Sequence, residues 1–376
     1  MAPSRPETKK TNPDIAKLIV DAQTQLEVGR VEEAATLAQQ ALDATGQGGD
    51  FELSAANLLG TIFIESGDVD EARAAFERAV HLDQDGTVDE KIGGGPEKFL
   101  LLAQLSEEGG LDTVQWYERG ATALRKQIAV LSEIRSPTPQ QKTSLQEKQH
   151  KLAGVLCAVA EVYMTDLSWE PDAESRCETL ITEAMLLAPA APETWQTVAN
   201  VRISQSRANE AQTALRRSLE LWQNLPSSHP DVPEFPTRIA LARLLMETEL
   251  EDEALSVLER LVTDDDTSVE AWYLGGWCLY ITGEKQKTTA SKPWNEATKD
   301  NEEWKGLWKS SRQWLSQCLK LFDMQEYEDE RLGEHAKELL SCINKEIGEP
   351  ADGELDDWED PSDGENDDDD DAEMQG

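Results

Sequence analysis

Apolar and small residues recur along this chain at helical spacing, in paired blocks joined by short polar turns. The clearest block is G-D-x-x-E-A-x-x-x-F-x-x-A at 67–79, where Ala72, Phe76 and Ala79 fall i, i+4, i+7 on one helix face. The helix before it carries Leu59, Gly60 and Phe63 in an L-G-x-x-aromatic arrangement. Together they make the two halves of a repeat of about 34 residues, the tetratricopeptide (TPR) period. The same register returns at Ala22, Ala34 and Ala41 with Gly29 at the turn, at Trp195, Ala199 and Ala211, at Ala242 and Ala254, and at Trp272 and Gly276. Cys177, Ile181, Ala184 and Pro189 close a fourth unit. The first and second helices of each pair cross closely, so a large side chain at these places would hold the backbones apart.

Seven repeats are predicted between residues 15 and 321. Two of them are degenerate: the third, from 99 to about 121 around Gly109-Gly110, and the seventh, whose second helix is displaced to 311–318. A helix over about 330–347 should cap the last apolar face, as a repeat array requires. Start signals agree with this register. Thr138-Pro139-Gln140-Gln141 sets an N-cap threonine before a first-turn proline with Gln at N3, and Pro96-Glu97 and Pro192-Glu193 open further helices. The repeat spacings require insertions after Ala121, after Gln140 and between Glu284 and Trp304. The expectation is an all-α, TPR-like α-α superhelical solenoid over 15–347, between a disordered N-terminus (1–14) and a disordered acidic tail (348–376).

Charge sharpens the picture. The formal net charge is -40 over 376 residues, and fifteen carboxylates lie in 349–376, a segment without Lys or Arg that includes five consecutive aspartates at 367–371. Such a tail has too little apolar surface to offset the entropy of ordering. The rest of the chain is acidic as well, so phosphate backbones and anionic lipid are disfavoured partners and basic proteins are favoured ones.

Several kinds of chemistry find no support. The first fourteen residues hold no apolar signal core, and no apolar run is long enough to span a membrane. The five cysteines make no C-x-x-C pair; four sit at helix-packing positions, which points to reduced thiols and a cytosolic or nuclear protein. His81, His150, His229 and His335 lack ligand or triad spacing. Gly93-Gly94-Gly95 precedes a helix, but no Gly-Lys-Ser/Thr follows, so it is taken as a flexible connection between repeats two and three. No enzyme, cofactor or metal is expected.

In a TPR array the first helices of the pairs line the concave face. Register assigns to that groove nine acids, Glu27, Glu65, Glu97, Glu107, Glu108, Glu161, Glu193, Glu247 and Glu270, and one base, Arg243. Four of the acids, Glu27, Glu65, Glu108 and Glu247, recur at one repeat position. Asn57, Thr61, Gln104, Gln196 and Asn200 fall on the same face. The lysine and asparagine pairs with which TPR co-chaperones grip a C-terminal carboxylate are replaced by Ile19/Gln23, Asn57/Thr61 and Leu100/Gln104, which argues against that function. In the last repeat Tyr273, Trp277 and Tyr280 either stack on client Arg or Lys side chains or form core beneath the 284–304 insertion.

Two stretches are more specific than generic repeat positions: KFLLLAQLSEEGGLDTVQWYERGATAL at 98–124 and EAWYLGGWCLY at 270–280, with DDWED in the tail at 356–360. With these the chain resembles the TPR assembly chaperones dedicated to large-subunit ribosomal protein L four, over nearly its whole length from Ile15. The resemblance implies capture of the newly made ribosomal protein and shielding of its long basic internal loop. It further implies escort from cytoplasm to nucleus for incorporation into the pre-60S particle, with nuclear import factors as further partners. A generic TPR scaffold, or an acidic histone-type chaperone in a larger complex, is the alternative that composition and periodicity leave open.

Overall fold

The computed structural model describes residues 14–290 and 303–350, so the expected disorder of 1–13 and 351–376, and most of the 284–304 insertion, lie outside the described residues. The described residues form fifteen α-helices and no strand. The helices fall into two compact units, one ending at Leu221 and one beginning at Trp222.

The first unit holds α1 (Ile15–Glu27), α2 (Val31–Thr45), α3 (Glu52–Ser66), α4 (Val69–Leu82), α5 (Glu97–Gln104), α6 (Gly110–Ser132), α7 (Pro139–Met164), α8 (Ala173–Leu187), α9 (Pro192–Ser204) and α10 (Ala208–Glu220). Odd and even helices pair as the repeat requires. Ala22, Ala34, Ala38 and Ala41 are wholly buried between α1 and α2, where a methyl is all the space allows. Gly60 shows the constraint most directly: a Cβ there would lie 2.6 Å from the Phe76 ring of α4. Overpacking of this kind costs about 1–3 kcal/mol.

The insertions after Ala121 and Gln140 lengthen helices instead of adding loops. Thus α6 runs for 23 residues and α7 for 26, and the Thr138–Gln141 capping box forms with both hydrogen bonds present. Pro96 occupies the N-cap of α5, one residue earlier than the proline that opens α9.

The connection between α4 and α5 departs from expectation, because it is built around a buried ion pair. Asp83 and Lys98 are 3% and 1% exposed and meet at 2.7 Å. The Asp83 carboxylate also accepts from the backbone N–H groups of Thr87 (2.9 Å), Val88 (3.3 Å) and Gly95 (3.1 Å). Gly93 and Gly95 supply the positive φ values, +82° and +92°, that turn the chain inward. The glycine run is therefore a fixed cradle for the protein's own carboxylate.

The second unit holds α11 (Phe235–Glu247), α12 (Glu251–Asp264), α13 (Val269–Ala290), α14 (Glu303–Gln325) and α15 (Glu330–Ile347). Gly276 plays the role of Gly60 here, since a Cβ would stand 2.6 Å from Leu315 of α14. Trp308, Leu315, Ala336, Leu339 and Ile343 form a core in which α15 covers the last pair, at the bounds expected of a cap. Cys157, Cys177, Cys278 and Cys318 are buried free thiols and Cys342 is exposed.

Candidate functional site

Several of the acids that register assigns to the groove lie at the ends of odd-numbered helices. In α1 and α11 the final residue is a glutamate, Glu27 and Glu247; in α3 the penultimate residue is Glu65; in α7 Glu161 lies in the last turn. None of these four helices has a basic residue in its last turn. A carboxylate there faces the negative end of the helix dipole, typically a cost of about 0.3–1 kcal/mol.

These acids are also left without cations. Glu27, Glu65, Glu108 and Glu247 are exposed and form no ion pair among the described residues. Glu161 is accessible, yet the surrounding protein pushes its carboxyl above the usual range, a shift opposed by the Thr197 hydroxyl that hydrogen-bonds to it. A second set of acids is neutralised. Glu270 pairs with Arg243, Glu97 with Lys151, and Glu107 with Arg73 at 3.0 Å. Register reasoning missed Lys148 and Lys151, because α7 extends more than two turns ahead of its repeat and carries both lysines onto the groove side. Their i, i+3 spacing was visible, but one repeat length did not reach them.

The third repeat contributes differently from its register. Because α5 stops at Gln104, Glu107 and Glu108 lie on the turn into α6. Arg73 of α4 draws Glu107 toward the turn by donating Nε and Nη2 to the Leu105 carbonyl, both at 3.1 Å. Gln104 stands at the same edge, where it hydrogen-bonds to Tyr117. Asn57 and Thr61 line a cleft of about 470 Å³ with Glu97, Lys148 and Lys151, and the Asn57 amide donates to the Gly93 carbonyl, so the glycine cradle forms part of this wall. On α9 Asn200 is exposed, whereas Gln196 is 7% exposed with its Nε2 unpartnered among the described residues.

The aromatic trio divides. Tyr273 and Trp277 are half-buried against α15, with the Tyr273 hydroxyl 2.8 Å from His335 Nδ1 and the Trp277 ring edge-on to the same imidazole at 5.3 Å. Burial pushes the Tyr273 phenol up to about 12. Their outer faces line a cleft of about 610 Å³ with Arg243 and Glu247 of α11 and the start of α15. Tyr280 lies elsewhere, stacked on Trp308 of α14 at 5.2 Å.

No group of His, Cys, Asp or Glu among the described residues has an arrangement that could hold a metal ion, and no described helix is long and apolar enough to cross a membrane.

Known proteins agree with this architecture. The tetratricopeptide-repeat family model matches residues 21–87. A protein of Emericella nidulans described as a probable assembly chaperone of rpl4 is 46% identical over 344 residues, covering 91% of this chain and 84% of that one. A Schizosaccharomyces pombe protein of the same description is 31% identical over 315 residues, covering 83% and 85%. Among solved structures, residues 1–338 of an assembly chaperone of RpL4 (Acl4) are 54% identical and superpose with a TM-score of 0.70, covering 74% of this chain and 100% of the other.

Proposed function

Since the chain belongs to the family of assembly chaperones of rpl4, we propose that it is a dedicated, non-catalytic chaperone whose client is this ribosomal protein. The observation that supports the reading most is the set of exposed carboxylates at the ends of α1, α3 and α11, each kept without a cation at a place where the helix dipole disfavours it. A basic, extended client segment supplies the missing charge and so stands in for the contacts that ribosomal RNA makes later. Escort from cytoplasm to nucleus follows from such a role, with release at the pre-60S particle and import factors engaging the chaperone–client pair. Direct nucleic-acid binding has no place in the reading, because a net charge of -40 repels phosphate.

The test is reconstitution with purified rpl4. A stable 1:1 complex that keeps rpl4 soluble at physiological salt, and that an excess of core histones does not displace, is the expected result. Equal retention of histones would favour a general acidic chaperone. Failure of rpl4 to bind at all would sink the proposal.

A further inference from the structure

We propose that the cleft formed by α11, α13 and the start of α15 is an anchor pocket for one bulky apolar side chain of the client, next to a Lys or Arg that pairs with Glu247. The inference rests on the chaperone reading above and gives the site a chemistry that net charge alone would not suggest.

The cleft, about 610 Å³, is lined by the Tyr273 and Trp277 rings and by Met246, Leu274, Ile281 and Leu332. That volume leaves ample room for a large side chain together with its flanking backbone, and the lining is mostly apolar. The polar groups around it are mostly committed. The Tyr273 hydroxyl is engaged by His335, Arg243 is neutralised by Glu270, and Asp329 accepts from the N–H groups of Arg331 and Leu332 as the N-cap of α15. Arg331 is exposed and has no ionic partner among the described residues, and with Arg243 it places two guanidinium groups at the lining. Arg243 is held by Glu270, and Arg331 shares the lining with the carboxylates of Asp329 and Glu247, so the cleft has no excess of positive charge and the half-buried Tyr273 and Trp277 rings offer its apolar surface. Glu247, the remaining acid at the wall, has no cation among the described residues and lies one residue from Met246. The cleft thus reads a short pattern, an apolar residue followed or preceded by a base, and adds a desolvated anchor to an otherwise electrostatic contact.

The test is a double-mutant cycle on the full chain with full-length rpl4. Met246→Asp places a carboxylate on the apolar wall, and Ile281→Ser is a milder change on the opposite helix. Helical content and melting temperature are checked for both. Each should weaken binding, Met246→Asp by about tenfold or more. One apolar-to-Ser substitution in rpl4 should weaken it similarly and add nothing further in the Met246→Asp background. Coupling of the uncharged Ile281→Ser change to a Lys or Arg substitution in rpl4, with none to any apolar substitution, would make the cleft a cation site and overturn the proposal. So would unchanged affinity in both folded variants. Wild-type chain that fails to bind rpl4 defeats the chaperone reading itself, a result distinct from either.

Discussion

At Glu161 the fold holds a carboxyl in surroundings that disfavour its charge, and the direction of that shift has a measurable consequence. Although the side chain reaches solvent, desolvation by the protein packed around it raises its pKa, with the Thr197 hydrogen bond acting the other way. A raised folded-state value means that its contribution to stability is complete below the ordinary carboxylate range and is lost as pH rises through the folded value. At neutral pH the ionised group is therefore a cost to the free protein. Glu161→Gln should raise the thermal midpoint slightly at pH 7, and the gain should vanish near pH 4, about where carboxyls protonate. Equal midpoints for the two proteins at pH 7 would contradict this. Asp83 is the opposite case. Although burial disfavours its charge, Lys98 and the N–H groups of Thr87 and Val88 hold its carboxyl below the usual range. Its contribution is present above the unfolded value and is lost as pH falls through the folded one. Lys98→Met should cost about 3–5 kcal/mol by leaving a buried unpaired carboxylate, whereas replacing both partners by apolar residues should be far milder. The two variants are compared by denaturant unfolding.

Helix pairs were legible in the sequence wherever a small residue is demanded by close crossing. Ala22 over α2, Gly60 under Phe76 and Gly276 under Leu315 are each positions at which a single methyl or less decides the packing, so a periodic Ala/Gly signal survives where other positions drift. The cap was legible because α15 has one apolar face, Leu332, Ala336, Leu339 and Ile343, at helical spacing. What was not legible depends on particular side-chain contacts that the hydrophobic period does not encode. The end of α5 is fixed by Ser106, whose hydroxyl donates to Asp112 at 2.6 Å and accepts from the Gly109 N–H at 3.2 Å, so the turn wins over continued helix and takes Glu107 and Glu108 with it. The order in 83–98 comes from Asp83 meeting Lys98 fifteen residues later, which no local pattern announces. Tyr280 shares a helix face with Tyr273 and Trp277, but α14 reaches over it with Trp308. Two outcomes belong to this scale. Thr138→Ala should cost about 1 kcal/mol and speed amide exchange only in the first turn of α7. Truncation before Glu330 uncovers Trp308 and Leu315, 1% and 0% exposed, and should yield a protein that still forms helices but aggregates on gel filtration.

Taken over the whole molecule, the chain has two sources of negative charge that composition cannot separate, the acids fixed at helix ends and the 349–376 tail. In the proposed reading the fixed carboxylates carry the specificity. A tail of fifteen carboxylates acts over distance and is screened beyond about 8 Å at physiological salt. Deleting 349–376 should accordingly slow association with rpl4 and flatten its salt dependence, while leaving the dissociation rate nearly unchanged in stopped-flow measurements. The helix ends permit a sharper test, because stability and binding should move in opposite directions. Replacing Glu27, Glu65 and Glu247 together by Lys puts a cation at the negative end of each helix and should hold or raise the melting temperature, each change being worth up to about 1 kcal/mol. The decisive measurement is the affinity of purified rpl4 for that triple variant alongside its melting curve. An affinity reduced by about a hundredfold or more, in a protein at least as stable as the wild type, is the predicted result; wild-type affinity in the triple variant, with binding lost instead on removal of the tail, would contradict it.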